Sequence, residues 1–321
     1  DECRKAHEEA PADELALLRL ARALRRELMH EEALELLTSK RTMLTAEGLA
    51  EMGILLHFKG DLLGARRCFR EAVDRNYAEA ITYQACVEED MGNTETALRL
   101  LDQAQAKGAS LGFVHFYRGS TMFLGNKFDQ AAEEFEKCLK VAPGFTMARL
   151  QLAATKFKMK RQQEATKLLE EAVQQAPQVP EVLNYQGEML MMLGDTETAR
   201  SRFEEARKLD RTCPLPLINL ALVSMAPSPS GAPDAESVAT AERLFTQALE
   251  LDSQFMNAYQ RLAEVRMMAG DYDGAKQYFD KATRYARTMA DMQDVLESSL
   301  VFEAQQTALQ RLMAARGVSG R

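Results

Sequence analysis

The sequence predicts an all-α fold, a solenoid of about eight helix–turn–helix units closed by a final helix. Three observations predict it. Strong helix formers dominate the 321 residues, of which 46% are apolar and 27% charged, beside only nine prolines, no tryptophan and 7% aromatics. Small and bulky apolar residues recur in fixed phase along most of the chain. Gly-Asp and Gly-Asn turn signals fall between the two halves of five of the eight periods.

One alanine per unit sets the frame: Ala33, Ala65, Ala97, Ala131, Ala165, Ala199, Ala241 and Ala275, separated by 32, 32, 34, 34, 34, 42 and 34 residues. Twelve positions upstream stands another small residue, Ala21, Gly53, Ala85, Gly119, Ala153, Gly187 or Ala263; Ala221 lies twenty upstream of Ala241. Four positions downstream comes a bulky one: Leu37, Phe69, Leu101, Phe135, Leu169, Phe203, Phe245 and Phe279. Three further on the chain is small again except at Lys40. Small residues let two helices approach, and the bulky one fills the gap left between units. In Lys59-Gly60-Asp61, Met91-Gly92-Asn93, Gly125-Asn126-Lys127, Leu193-Gly194-Asp195 and Ala269-Gly270-Asp271, the glycine is expected to take the left-handed conformation and Asp or Asn to cap the next helix.

The units begin near Glu14, Ala46, Ala78, Gly112, Thr146, Pro180, Pro214 and Met256, and the first is the least regular. A helix from about Ala290 to Arg316 has no partner in the pattern and reads as a cap over the exposed end. The chain thus divides into residues 1–111 with three units, 112–289 with five, and 290–321 with the cap and tail. An insertion of eight residues lengthens the seventh unit, and the stretch 226–240, rich in Pro and Ser, reads as a flexible loop. Its Ser228-Pro229 reads as passive loop rather than as a phosphorylation site. A 34-residue unit with this signature, clearest over 112–145, resembles the tetratricopeptide repeat. That resemblance implies a right-handed superhelix whose first helices line the concave wall.

Several functions are excluded on composition and motif. A net charge of −8 argues against nucleic acid, which needs clustered Lys and Arg, and leaves basic peptides as ligands. Five scattered cysteines without C-x-x-C spacing encode neither a disulfide framework nor a zinc site, so the protein reads as reduced and cytosol-facing. No run approaches the ~20 apolar residues of a bilayer helix, and the charged start without an initiator Met reads as that of a fragment. His7, His30, His57 and His115 fall in different units with no Cys or acidic partner at ligand spacing, so no metal and no cofactor is expected. Glu133-Glu134 and Glu204-Glu205, on second helices, read as solvated faces. No phosphate loop, nucleophile elbow or Cys–His arrangement points to an enzyme.

The repeat resemblance places the second, fifth, ninth, twelfth and thirteenth residues of each first helix on the inner wall. The last two of these places read His57-Phe58, Glu89-Asp90, Phe123-Leu124, Phe157-Lys158, Met191-Met192, Met225-Ala226 and Met267-Met268. Five of the seventeen methionines therefore fall there in three successive units. Methionine is flexible and polarizable, suited to repacking around varied apolar ligands; the plainer reading is that these side chains pack against the next helix. Inward carboxylates (Glu47, Glu79, Glu89, Asp90, Glu181, Glu188, Glu264) outnumber the inward Lys158. The candidate peptide-binding set is Phe123, Phe157, Glu181, Asn184, Glu188, Met191, Met192, Ile218, Leu222, Met225, Gln260, Glu264, Met267 and Met268, and it suits an amphipathic helix with one basic face. A clamp for heat-shock chaperone tails needs Lys at a fifth place and Asn at the ninth, and no unit has that pair.

From about Gly112 onward the chain resembles the C-terminal domain of the seventy-kilodalton tetratricopeptide receptors of the mitochondrial outer-membrane translocase. The residues carrying this are 257–312, NAYQRLAEVRMMAGDYDGAKQYFDKATRYARTMADMQDVLESSLVFEAQQTALQRL, together with FLGNKFDQAAEEFEKCLKVAP at 123–143 and APQVPEVLNYQGEML at 176–190. Glu181 matches an acidic position of that family's pocket. The resemblance implies a non-enzymatic receptor on the cytosolic face of the mitochondrial outer membrane. It would hold preproteins or their targeting peptides and pass them to other translocase subunits; chaperones would bind only through a clamp absent from these residues. The alternative is a repeat scaffold, or a substrate-positioning arm of a larger complex or enzyme. Self-association as a homodimer is compatible with either.

Overall fold

The computed structural model describes residues 2–10, 13–27, 29–226 and 234–315, apart from the side chains of 309, 310 and 312–315. Among them are eighteen α-helices, a short 3-10 turn at Arg41–Met43 and no strand. A helix that the repeat pattern did not anticipate, α1 (Glu2–Glu9), packs on α2 (Glu14–Arg26), which pairs with α3 (His30–Ser39). The next pairs are α4 (Ala46–Phe58) with α5 (Leu62–Asp74), α6 (Glu79–Asp90) with α7 (Thr94–Ala106), α8 (Leu111–Leu124) with α9 (Phe128–Val141), and α10 (Thr146–Lys158) with α11 (Gln162–Gln175). These make one compact unit, Asp1–Gln175. The second, Ala176–Arg321, pairs α12 (Pro180–Met192) with α13 (Thr196–Leu209), α14 (Leu215–Ser224) with α15 (Ala235–Leu251), and α16 (Met256–Met268) with α17 (Tyr272–Tyr285). It ends in α18 (Met289–Ala315). First-helix starts thus agree with the sequence reading to within one residue.

The phased small residues sit where the two helices of a pair touch. The eight framing alanines are fully buried, as are Ala21, Ala153, Ala221 and Ala263. At the three glycines the following bulky residue is Phe, and its ring occupies the space of the missing side chain. A Cβ on Gly53, Gly119 or Gly187 would come within 2.6, 2.8 or 2.4 Å of Phe69, Phe135 or Phe203. The other three of the first six units pair Ala with Leu. Size is therefore exchanged between the two contact positions at constant total volume, as close packing demands. The last two units combine Ala with Phe, which limits the rule to the first six.

Three sequence expectations need correction. The stretch 226–240 is not loop throughout, because α15 already begins at Ala235, where Asp234 accepts the Ser237 N–H at 2.8 Å and Val238 is partly buried against the core. Residues 227–233, with Ser228 and Pro229, lie outside the described residues. In the Gly125-Asn126-Lys127 turn the left-handed residue is Asn126 (φ 57°), not Gly125 (φ −77°), since Asn tolerates that region through local hydrogen bonding. Gly194 (φ 86°) with its following cap Asp195 behaves as expected. Finally, Glu134 is buried rather than solvated. It accepts from Lys137 at 2.6 Å and meets His115 at 2.7 Å and Arg118 at 3.5 Å. Burial works to raise its pKa, and the hydrogen bonds from Lys137 and His115 with the charges of Arg118 and Lys137 together outweigh that and hold it low.

The closing helix is a cap in structure as well. Thr288 and Asp291 cap its start reciprocally, with the Asp291 N–H on Thr288 Oγ1 and the Thr288 N–H on Asp291 Oδ2, both at 3.0 Å. Its Val295 and Phe302 are buried against α16 and α17, Phe302 lying 5.5 Å from the Phe279 ring.

Candidate methionine-lined peptide surface

In the second compact unit, α12 and α14 lie side by side and α16 follows. Their helical pitch decides which expected residues stay open. Ile218 is sealed, and Met191, Leu222 and Met225 pack, partly buried, into one apolar cluster with Leu262 and Val265. Met267 is partly buried with Ala263, Phe279 and Phe302. Only the thirteenth-place methionines are open: Met192 is 61% exposed and Met268 55%. Packing against neighbouring helices accounts for the other three, because a residue one position earlier points a quarter-turn back toward the adjacent pair. In the first unit Phe123 and Phe157 are likewise half-buried; Phe123 lies edge-on to Phe128 at 5.5 Å, while thirteenth-place Leu124 is open.

The polar members separate in the same way. Asn184 and Asn219, both buried, converge on Glu188: Nδ2 of Asn184 donates to Oε1 at 2.8 Å, and Nδ2 of Asn219 donates to the same oxygen at 3.0 Å. Asn219 also donates to Asn184 Oδ1 at 3.0 Å, which ties α14 to α12. Burial raises the Glu188 pKa, and the two amides offset only part of that. Glu264 is neutralised on its own helix by Arg261 at 2.8 Å. Gln260 is buried and donates to Ser298 Oγ at 2.8 Å, so it holds α18 rather than facing solvent. Glu181 alone of the three carboxylates is exposed. The acidic fringe is thus narrower than the residue types imply.

This repeated pairing has counterparts among known proteins. The family described as "Tetratricopeptide repeat" matches residues 234–298, and that described as "Protein kinase G tetratricopeptide repeat" matches 70–175. The chain is a tetratricopeptide-repeat protein. It is homologous to the mitochondrial import receptor subunit TOM70 of Saccharomyces cerevisiae, with 25% identity over 248 residues, 77% of this chain and 40% of the relative. The repeat protein therefore spans well under half the length of that curated relative. The crystal structure of yeast Tom70 superimposes with a TM-score of 0.62 at 23% identity, covering 91% of this chain and 60% of the other. The APC/C hetero-tetramer Cut9–Hcn1 gives 0.60 at 15% identity, covering 94% and 59%, a likeness of fold alone.

The repeat architecture also brings together residues that linear spacing keeps apart. His57 on α4 pairs with Asp90 on α6, and Cys86 lies beside them, the three ligand atoms falling within 4.8 Å of one another. Sequence spacing assigned His57 no partner; one repeat length, not a local motif, separates it from Asp90. These residues have the chemistry of an open metal site. As the protein stands His57 and Asp90 are hydrogen-bonded beside a thiol that burial, with Asp90 and Glu89, pushes up to about 12, and a protonated thiol is a poor ligand. His115 on α8 and Glu134 on α9, nineteen residues apart, meet across one helix pair and were missed because that separation is no local motif either. Among the described residues no helix is long and apolar enough to cross a membrane.

Proposed function

We infer that this segment holds mitochondrial preproteins, through presequences or internal hydrophobic targeting segments, at the surface marked by Met192 and Met268. The observation that carries the reading is the exposure of those two side chains, 61% and 55%, at the same place in the sixth and eighth repeats. Exposed Glu181 stands at the start of the helix that ends in Met192. Flexible thioethers accept differing apolar faces, and an exposed carboxylate favours ligands with a basic face. Homology to a mitochondrial import receptor subunit supports the class. On this reading the segment works at the cytosolic face of the mitochondrial outer membrane and hands its ligand to other translocase subunits. Chaperone tails are not its ligands, since no repeat offers the Lys and Asn of a clamp.

A labelled basic amphipathic presequence peptide, titrated by fluorescence anisotropy, tests this. Met192→Asp with Met268→Asp alters only exposed side chains and is expected to weaken binding by about tenfold or more with the melting temperature nearly unchanged. Equal affinity for both proteins returns the chain to a general repeat scaffold or substrate-positioning arm. Light scattering of the same samples reads any homodimer.

A further inference from the structure

Away from the methionine surface, a cleft of about 740 Å³ lies within the second compact unit, walled by α13 and α15 with α14 at its base. Its cations are Arg200, Arg207, Lys208, Arg211 and Arg243, set against the carboxylates of Glu204 and Glu250. This local positive excess runs against a chain whose net charge is −8. Among the described residues none of the five cations has an ion-pair or hydrogen-bond partner. Four arginines elsewhere in the unit do have partners: Arg202 with Glu205, Arg261 with Glu264, Arg266 with Glu242 and Arg287 with Asp252. The base of the cleft is aliphatic: Leu217 and Leu220 are sealed, and Leu251 at the rim is 45% exposed.

We propose that this cleft docks an acidic amphipathic segment of a partner protein. Arg200 and Arg207 lie on one face of α13 with Glu204 between them, and Arg243 faces them from α15. Guanidinium groups in that spacing bind separated carboxylates through paired N–H donors, while an apolar side chain of the same segment covers Leu251. A flat lipid surface reaches the rim but not the aliphatic base. A continuous polyanion meets Glu204 and Glu250, whereas a peptide can place its carboxylates around them. Its walls are second helices and its α14 base carries neither Met192 nor Met268, so it does not depend on the presequence reading.

The probe is a fluorescein-labelled synthetic helix of about 18 residues with Glu on one face and Leu on the other. The whole chain is titrated with it, with a scrambled peptide of equal composition, and with vesicles of roughly 30% phosphatidylserine. The amphipathic peptide is expected to bind more tightly than the scrambled one and to weaken between about 50 and 200 mM salt. Arg207→Glu with Arg243→Glu is expected to reduce its affinity about tenfold or more, and Met192→Asp with Met268→Asp to leave it unchanged. Should the charge reversal unsettle the fold, Arg207→Gln with Arg243→Gln carries the same expectation. Equal binding of the two peptides, indifference to these substitutions, or binding of vesicles without the peptide overturns the proposal.

Discussion

At Gly187 a single missing methyl group sets how closely α12 and α13 approach, because the Phe203 ring stands where a Cβ would be. Gly187→Ala is therefore expected to destabilise by about 1–3 kcal/mol through overpacking. Phe203→Leu alone leaves a void at a fully buried site and costs a comparable amount. Together they recreate the Ala–Leu combination of the first, third and fifth repeats. The double variant should accordingly lose less than the two single losses added, with a coupling of about 1 kcal/mol or more in urea unfolding; strict additivity contradicts the exchange of size. The Glu188 carboxyl supplies a second residue-scale test. Its folded pKa is raised by burial, so folding favours the protonated form. Its contribution is fully present below the ordinary 4.5 and is lost as pH rises through the folded value. Glu188→Gln keeps an acceptor for Asn184 and Asn219 without the charge. Its stability relative to the parent should improve from about pH 4 to pH 7, whereas a flat difference in urea midpoints across that range speaks against the assigned burial.

At the scale of the element, the aspartate caps were legible because their chemistry is local, whereas Asn93, expected to cap α7, makes no cap bond and donates to Glu88 at 2.8 Å. Asp61, Asp195 and Asp271 each accept a backbone N–H from the third residue of the helix that follows. The helix at 235–240 was missed because Pro and Ser nearby dominate a composition argument, while the Asp234 cap and the apolar phase of Val238, Ala241 and Leu244 are what the backbone obeys. The closing helix depends on few contacts: Val295, Phe302 and the Gln260–Ser298 bond. Phe302→Ala should release α18 preferentially, with amide exchange rising along it and in α17 by a larger factor than in α12. Uniform acceleration along the chain contradicts a locally docked cap.

For the whole molecule, contacts join helices near in sequence, so stability is a sum of short-range terms. A lesion in one repeat should stay there. Gly53→Ala, which drives a methyl into Phe69, is expected to speed amide exchange in α4, α5 and their immediate neighbours and to leave α16 and α17 as they were. Exchange that rises equally throughout indicates one cooperative core instead. Charge is distributed on the same scale: the chain is acidic overall, yet five cations that have no partner among the described residues gather in one cleft. Net charge conceals that arrangement because it averages over surfaces that never meet the same ligand.

Repeat number, helix starts and the identity of the buried small residues follow from the order of residues, because a 34-residue phase is carried by nearest-neighbour packing that any two successive helices must satisfy. Which side chains remain open had to await the fold. Met191 and Met192 are chemically alike and adjacent, and a rotation of about 100° per residue sends one into the cluster and the other into solvent. The same holds for His57 with Asp90, for Glu188 with its two asparagines, and for the cations around the cleft. His57 with Asp90, Asn219 with Glu188, and Arg243 with the α13 arginines each meet across some thirty residues or more, and distance in space between residues on different helices is a property of packed backbones, which no local pattern of residues encodes.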